Sequence, residues 1–383
     1  MRSAGKAPIQ CPIVRTLAAA LLLFAALAGT AQAAPGGHSS GSLAYVAAAE
    51  HGRAGGVWLA RADGSGAHRI AAGEAPLLSP DGRKLAFARV ESRPGRRSLL
   101  ILSPRRRVVG RYFRFPQNAE PLAWSPDSRY LAVWTHRSAS KGPPRLAILD
   151  TVARRARFVA RGWIEGVSFA PRGADRLVFG LGRRILYSAP RDLYVVGARG
   201  GRARRLTEDG NSLNPVWGPQ GILYDRRTLR ATVPTHAPFL PAYEIFLYRQ
   251  GGSIQVTHLE PEPLVGGLVP VAVSADGSHL LANYYEERFG SVRGFPWAVD
   301  VPTGTAQPLT PLESGYVAEG RGISRDGSRV LVEDEPAGLD RRLAYSSIAT
   351  IPFAGGPEQS LVRAAGAPSW SLSGNTASPG GPW

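Results

Sequence analysis

From Ser42 onward, short apolar runs alternate with breaks rich in Gly, Pro, Asp and Arg. One version of this pattern recurs along the chain. Its clearest copy is Ala75-Pro-Leu-Leu-Ser-Pro-Asp-Gly-Arg-Lys-Leu-Ala-Phe87, which reads as an apolar strand, a tight turn and a second strand. Further copies lie at Leu122–Val133, Val167–Gly173, Pro215–Tyr224, Val271–Leu281, Gly322–Val332 and Pro368–Gly374. Between the equivalent turn positions Ser79, Ser125, Ala170, Gly218, Ser274, Ser324 and Ser371, the spacings are 46, 45, 48, 56, 50 and 47 residues. A period of about 40 to 50 residues with several short strands per unit predicts propeller blades.

Each unit parses into four strands, A to D. After Ala75 these are Pro76–Leu78, Lys84–Arg89, Ser98–Leu102 and Val108–Phe113. The chain opens with Ser42–Ala47, Val57–Ala60 and His68–Ile70, which match B, C and D with no A strand before them, and it closes on Pro368–Ser371, an A strand with nothing after it. The prediction is an all-β, seven-bladed β-propeller closed by pairing of its N- and C-terminal strands, with six blades the alternative. Closure removes the free sheet edge that an open array exposes. The turn chemistry is structural: Pro presets φ, Asp bonds local amides, and Gly takes the left-handed conformation that reverses the strand. Trp124, Trp217 and Trp370 share a strand A position filled elsewhere by Leu78, Phe169, Val273 and Ile323, so they read as core between blades.

Residues 1–33 read as an export signal, with Arg2, Lys6 and Arg15 before an apolar run from Leu17 to Gly29 and a small-residue cleavage site ending at Ala33. The expected order is then a linker over 34–41, the propeller over 42–374, a flexible tail over 375–383, and an extracytoplasmic location, periplasmic or secreted. Cys11, the single cysteine, would leave with the signal, so the mature chain is expected to have no disulfide and no thiolate chemistry. The net charge of +17 drops to +14 without the three signal bases. That suits an anionic lipid surface or envelope glycan. Only Lys6, Lys84 and Lys141 among 46 basic residues are lysine, however, and this skew reads equally as composition bias. No nucleic acid partner is expected, and a monomer is favoured.

The Pro-x-x-Ser-Pro-Asp-Gly-x-x-Leu-Ala-Phe pattern resembles the WD40-like repeat of TolB proteins and of the propeller domains of prolyl-oligopeptidase-type enzymes, over nearly all of the mature chain. The resemblance implies a propeller; the TolB ring it resembles has six blades.

In a four-stranded blade the A–B and C–D turns share one face, and the D–A and B–C connections share the other. The second face is expected to hold the long insertions Arg226–Ala242, Leu259–Leu268, Glu286–Phe295 and Glu333–Leu343, and with them the function. Glu74, Glu120, Glu165 and Glu319 each stand five residues before the reference turn position, at the start of the innermost strand. They would line one mouth of the channel, and crowded acids raise their own pKa or recruit a cation, an Arg or a substrate amine. The alternative is structural, each Glu bonding loop amides or a nearby Arg such as Arg321. His136, His236, Phe239, Tyr243, Glu286 and Asp334 are the further candidates on this face. His51, His136 and His236 belong to non-adjacent blades and predict no metal site. No serine elbow, zinc motif or phosphate loop is present, so no catalytic residue is assigned and no cofactor is expected beyond a cation at the acidic mouth.

The first reading is a non-enzymatic exported propeller that binds a protein, peptide or envelope component on its loop-rich face. The alternatives are a hydrolase or lyase using the carboxylate-lined mouth, and an anionic-surface binder using the arginine-rich hairpins Arg105–Arg107, Arg154–Arg155 and Arg202–Arg205.

Overall fold

The short β-branched and aromatic runs pair as antiparallel strands, and every regular element among the described residues is a strand. The computed structural model describes residues 41–48, 56–90, 97–103, 109–110, 118–136, 143–173, 175–183, 189–228, 242–259, 266–288, 291–310, 316–336, 346–371 and 375–376. No helix among them is long and apolar enough to cross a membrane.

The strands form five four-stranded sheets and one nine-stranded sheet. In chain order the second sheet is Glu74–Leu78, Leu85–Val90, Arg97–Leu102 and Val109–Gly110, and the third is Asn118–Trp124, Tyr130–His136, Arg145–Asp150 and Arg155–Arg161. The nine-stranded sheet joins two such meanders, Ser212–Gln255 and Gly266–Pro308, through a parallel bridge between Tyr243 and Gly267. The first sheet carries Ala365–Trp370 beside Ser42–Ala47, with Leu43 opposite Trp370 and Ala47 opposite Ala365. The two ends of the propeller region therefore share one sheet, as the strand inventory predicts.

The core lies between neighbouring sheets. Leu59 meets Phe87 and Leu100, Ala86 and Ile101 meet Trp124 and Leu131, and Ile148 meets Phe169 and Phe179. The sequence continues through Val178 with Tyr224, Leu223 with Leu280, and Leu281 with Val330. Leu331 and Ile348 then pack on Leu43, Tyr45 and Trp370 of the first sheet. Burial of such side chains contributes roughly 1.5 to 3 kcal/mol each. Trp124 and Trp370 fill the core positions expected for them, and Trp124 Nε1 also donates to the Leu77 carbonyl of the preceding sheet at 3.1 Å.

The repeated turn is a hydrogen-bond unit. Ser79 Oγ donates to Asp81 Oδ1 at 2.6 Å and accepts the Lys84 amide at 2.9 Å, while Asp81 Oδ1 accepts the Arg83 amide at 3.0 Å. The same set recurs at Ser274–Asp276 and Ser324–Asp326. Gly82, with φ of 65°, supplies the left-handed residue, and Ser128 takes that role at 58° in the next copy.

Three expectations change. The Glu286–Phe295 insertion is a long hairpin, His279–Arg288 paired in unbroken register with Ser291–Asp300. Strands Gly221–Thr228 and Arg329–Pro336 likewise run into the expected insertions at Arg226–Ala242 and Glu333–Leu343. In the segment expected to be a free tail, Asn375 and Thr376 pair with Val273 and Ala272 on the open edge of an innermost strand.

Candidate functional site

Every innermost strand breaks register at the same place. The shifts fall at Glu74/Leu77, Pro121/Ala123, Glu165/Val167, Leu213/Val216, Pro270/Ala272 and Gly320/Gly322, and in the first sheet between Ala44 and Val46 opposite Ser369 and Gly366. Left-handed residues mark four of these sites: Ala75, Gly166, Asn214 and Ala367. A bulge bends its strand and re-aims the adjacent side chain. The four glutamates singled out in the sequence stand at this point in their strands, so one backbone irregularity sets the direction of all of them.

Each of the four meets an arginine. Arg97 bridges two sheets, with Nη2 at 2.9 Å from Glu74 Oε2 and Nη1 at 2.7 Å from Glu120 Oε1. Arg191 Nε stands 2.7 Å from Glu165 Oε1. Arg321 lies 2.8 Å from both Glu319 and Glu333, through Nη2 and Nε respectively. The four glutamates are therefore held in arginine–carboxylate pairs, the structural alternative for these residues. Arg97 and Arg191, which sequence reading missed, each open the third strand of their unit one polar residue ahead of an apolar run, and that position was the available signal.

A buried acid lies near Glu165. Asp225 is 1% exposed, and burial pushes its carboxyl up to about 8, with nearby Asn214 and Arg227 offsetting and Glu165 adding to the shift. Burial also raises Glu165, against the pull of Arg191. Glu333 is fixed on both oxygens, Oε2 by Arg321 and Oε1 by the Ala367 amide at 3.0 Å, which ties the Tyr316–Pro336 region to the terminal strand.

The remaining candidates scatter. The His136 ring lies 4.6 Å from that of Trp134. Tyr243 is buried at the bridge to Gly267. Glu286 pairs in register with Arg293 in the long hairpin. Asp334 accepts a 3.4 Å hydrogen bond from Ser347 Oγ, and burial pushes it up to about 7. His51, His236, Phe239 and Arg105–Arg107 lie outside the described residues. Arg204 and Arg205 form a short edge strand, and Arg205 Nη2 is 2.6 Å from Asp192 Oδ2. Among the described residues no group of three or more His, Cys, Asp or Glu side chains could hold a metal ion.

No protein-family model matches the chain, and no curated relative does. Solved structures do match. TolB from Acinetobacter baumannii aligns at 17% identity over 88% of this chain and 67% of its own, with a TM-score of 0.50. The β-propeller domain of the Trilobed protease from Pyrococcus furiosus aligns at 14% identity over 84% of this chain and 91% of its own, with a TM-score of 0.59. The fold is that of a TolB-like β-propeller. An oligogalacturonate lyase in complex with manganese also matches, at 16% identity over 75% of this chain and 76% of its own, with a TM-score of 0.51. The expectation of a non-enzymatic binding protein is overturned here, because the TolB-like fold that supported it aligns equally with a lyase and with a protease's propeller domain. Fold alone carries no binding role.

Proposed function

We propose that this chain is a seven-bladed closed propeller enzyme in which the arginine–carboxylate mouth carries a lyase- or hydrolase-type reaction on an anionic saccharide, an oligouronide being the favoured class. The seven-blade reading is supported by core clusters linking each four-stranded unit to the next and the last to the first, and by the pairing of Leu43 with Trp370. An exported, extracytoplasmic chain is part of the reading and rests on residues 1–33. For partners, the TolB likeness favours protein–protein interaction in general terms and points to no particular partner.

The observation that carries the reaction class is Arg97 held between Glu74 and Glu120. A guanidinium fixed by two carboxylates keeps a defined orientation toward a third, the substrate's, and arginine's planar fork matches carboxylate geometry. In an elimination on a uronide, neutralising the substrate carboxylate acidifies the neighbouring C–H. A base takes that proton, the C–C double bond forms as the glycosidic C–O bond breaks, and an acid protonates the leaving oxygen. Glu165, held above the usual carboxylate range by burial and 16% exposed at its side chain, is the group assigned to proton transfer. The manganese of the matched lyase has no counterpart donor set among the described residues, so no step here runs through a metal.

The test is incubation of the purified full chain with oligogalacturonate, following the ultraviolet absorbance of the unsaturated product and, separately, new reducing ends. Absorbance growth lost in Arg97→Met and Glu165→Gln supports elimination at this mouth. Reducing ends without absorbance would mean hydrolysis, and neither signal would sink the reading.

A further inference from the structure

At the ends of the strands opposite the carboxylate mouth, a cavity of about 400 Å³ opens between the Arg145–Arg161 hairpin and the turn that follows Arg191–Gly197. Tyr130, Ile148 and Ala198 contribute apolar surface, and Arg129, Arg155, Arg157 and Arg199 contribute four guanidinium groups. The volume falls in the usual range for small-ligand sites, roughly 300 to 1,000 Å³.

The arginines are partly preset. Arg129 donates from Nε and Nη2 to Asp150 Oδ2 at 3.1 and 2.7 Å and lies over the Tyr130 ring at 5.1 Å. Asp150 Oδ1 is taken by the Val152 and Ala153 amides at 3.0 and 2.9 Å. Both oxygens of the one carboxylate in the lining are therefore engaged, and it offsets only one of four positive charges. Arg157 donates to the Arg199 carbonyl and lies across Gly200, where an added Cβ would stand 3.1 Å from Arg157 Cδ. Arg155 and Arg199 complete the rim with exposed side chains. Holding a long cation in place before binding reduces the ordering cost at the moment of binding.

We infer that this cavity binds a phosphate monoester group, carried either on a free small molecule or on a lipid. Three surplus positive charges exceed what one carboxylate would balance, whereas a phosphate monoester brings close to two negative charges and three acceptor oxygens. The apolar floor gives the ester's organic part a surface to cover. The site stands apart from the mouth and does not depend on the lyase reading.

The experiment is titration calorimetry of the full chain with inorganic phosphate and with a sugar phosphate, alongside flotation with phosphatidic acid vesicles and with neutral phosphatidylcholine vesicles. Wild type should bind the sugar phosphate. The exposed double variant Arg155→Ala/Arg199→Ala should bind it at least about tenfold more weakly with an unchanged melting temperature, since it loses charged hydrogen bonds to the phosphate. Flotation with phosphatidic acid that a soluble phosphate monoester displaces assigns the group to a lipid, and calorimetric binding without flotation assigns it to a free ligand. No phosphate binding by wild type, equal binding by the double variant, or flotation that a phosphate monoester does not displace would each overturn the site. Arg97→Met should bind phosphate as wild type does, so failure of the mouth reading is read separately.

Discussion

Gly166 lies directly against Asn214 of the next sheet: a Cβ added to Gly166 would stand 2.5 Å from the Asn214 Cα. Both residues are left-handed, at φ of 60° and 41°, and both sit at the bulge of an innermost strand. Two bulges thus pack backbone to backbone in front of the buried Asp225.

Gly166→Ala meets both penalties at once, a positive φ that L side chains disfavour and a contact with backbone that cannot swing away. The expected loss is about 2 to 5 kcal/mol, the sum of the usual left-handed and overpacking costs. Urea unfolding of the variant against wild type measures it, and a loss below about 1 kcal/mol would mean the two bulges do not abut.

Asp225 is an acid whose folded pKa lies above its unfolded one. Between the ordinary carboxylate range and about pH 8 the folded state holds a proton that the unfolded state has released, so stability falls as pH rises across that window and levels above it. Asp225→Asn removes this dependence. Its melting temperature should exceed that of wild type by a margin that widens from pH 4 to pH 8, and a constant margin would contradict the buried acid.

The turn aspartates have the opposite sign. Asp276 is held down at about 2, first by the Ser274 hydroxyl and then by Ser278, and Asp326 is lowered likewise by Ser324 and Ser328. Their contribution is present above the unfolded carboxylate range and is lost as pH falls toward 2. Melting curves of Asp276→Asn/Asp326→Asn should lie below wild type at neutral pH and converge with it in acid.

Trp370 belongs to the last strand and packs, 7% exposed, with Leu43, Tyr45 and Leu331. Trp370→Ala should cost about 3 to 5 kcal/mol, the usual range for a buried tryptophan. Because both chain ends meet in that sheet, fluorescence and circular dichroism should report one unfolding transition shifted to lower denaturant. Loss of only a local transition would indicate that the terminal strand is dispensable.

The strand–turn–strand units were legible because each turn is made by neighbouring residues: Ser79, Asp81 and Gly82 bond to one another and to amides a few positions away. The shared first sheet was legible as well, since an orphan A strand at one end fits a missing A strand at the other. The recurrence of Glu74, Glu120, Glu165 and Glu319 also came from spacing alone, with arginine pairing as one of two readings.

Their partners did not, except for Arg321, two residues from its glutamate. Arg97 reaches Glu74 on its own sheet and Glu120 on the next, a meeting set by how two sheets splay. The burial of Asp225 and the cavity under Arg129, Arg155, Arg157 and Arg199 arise the same way, where separate units come together. Local hydrogen bonding and alternation let the chain itself specify its strands and turns. Charge pairing, desolvation and enclosed volume depend on distances between units, and those exist only once the sheets have packed.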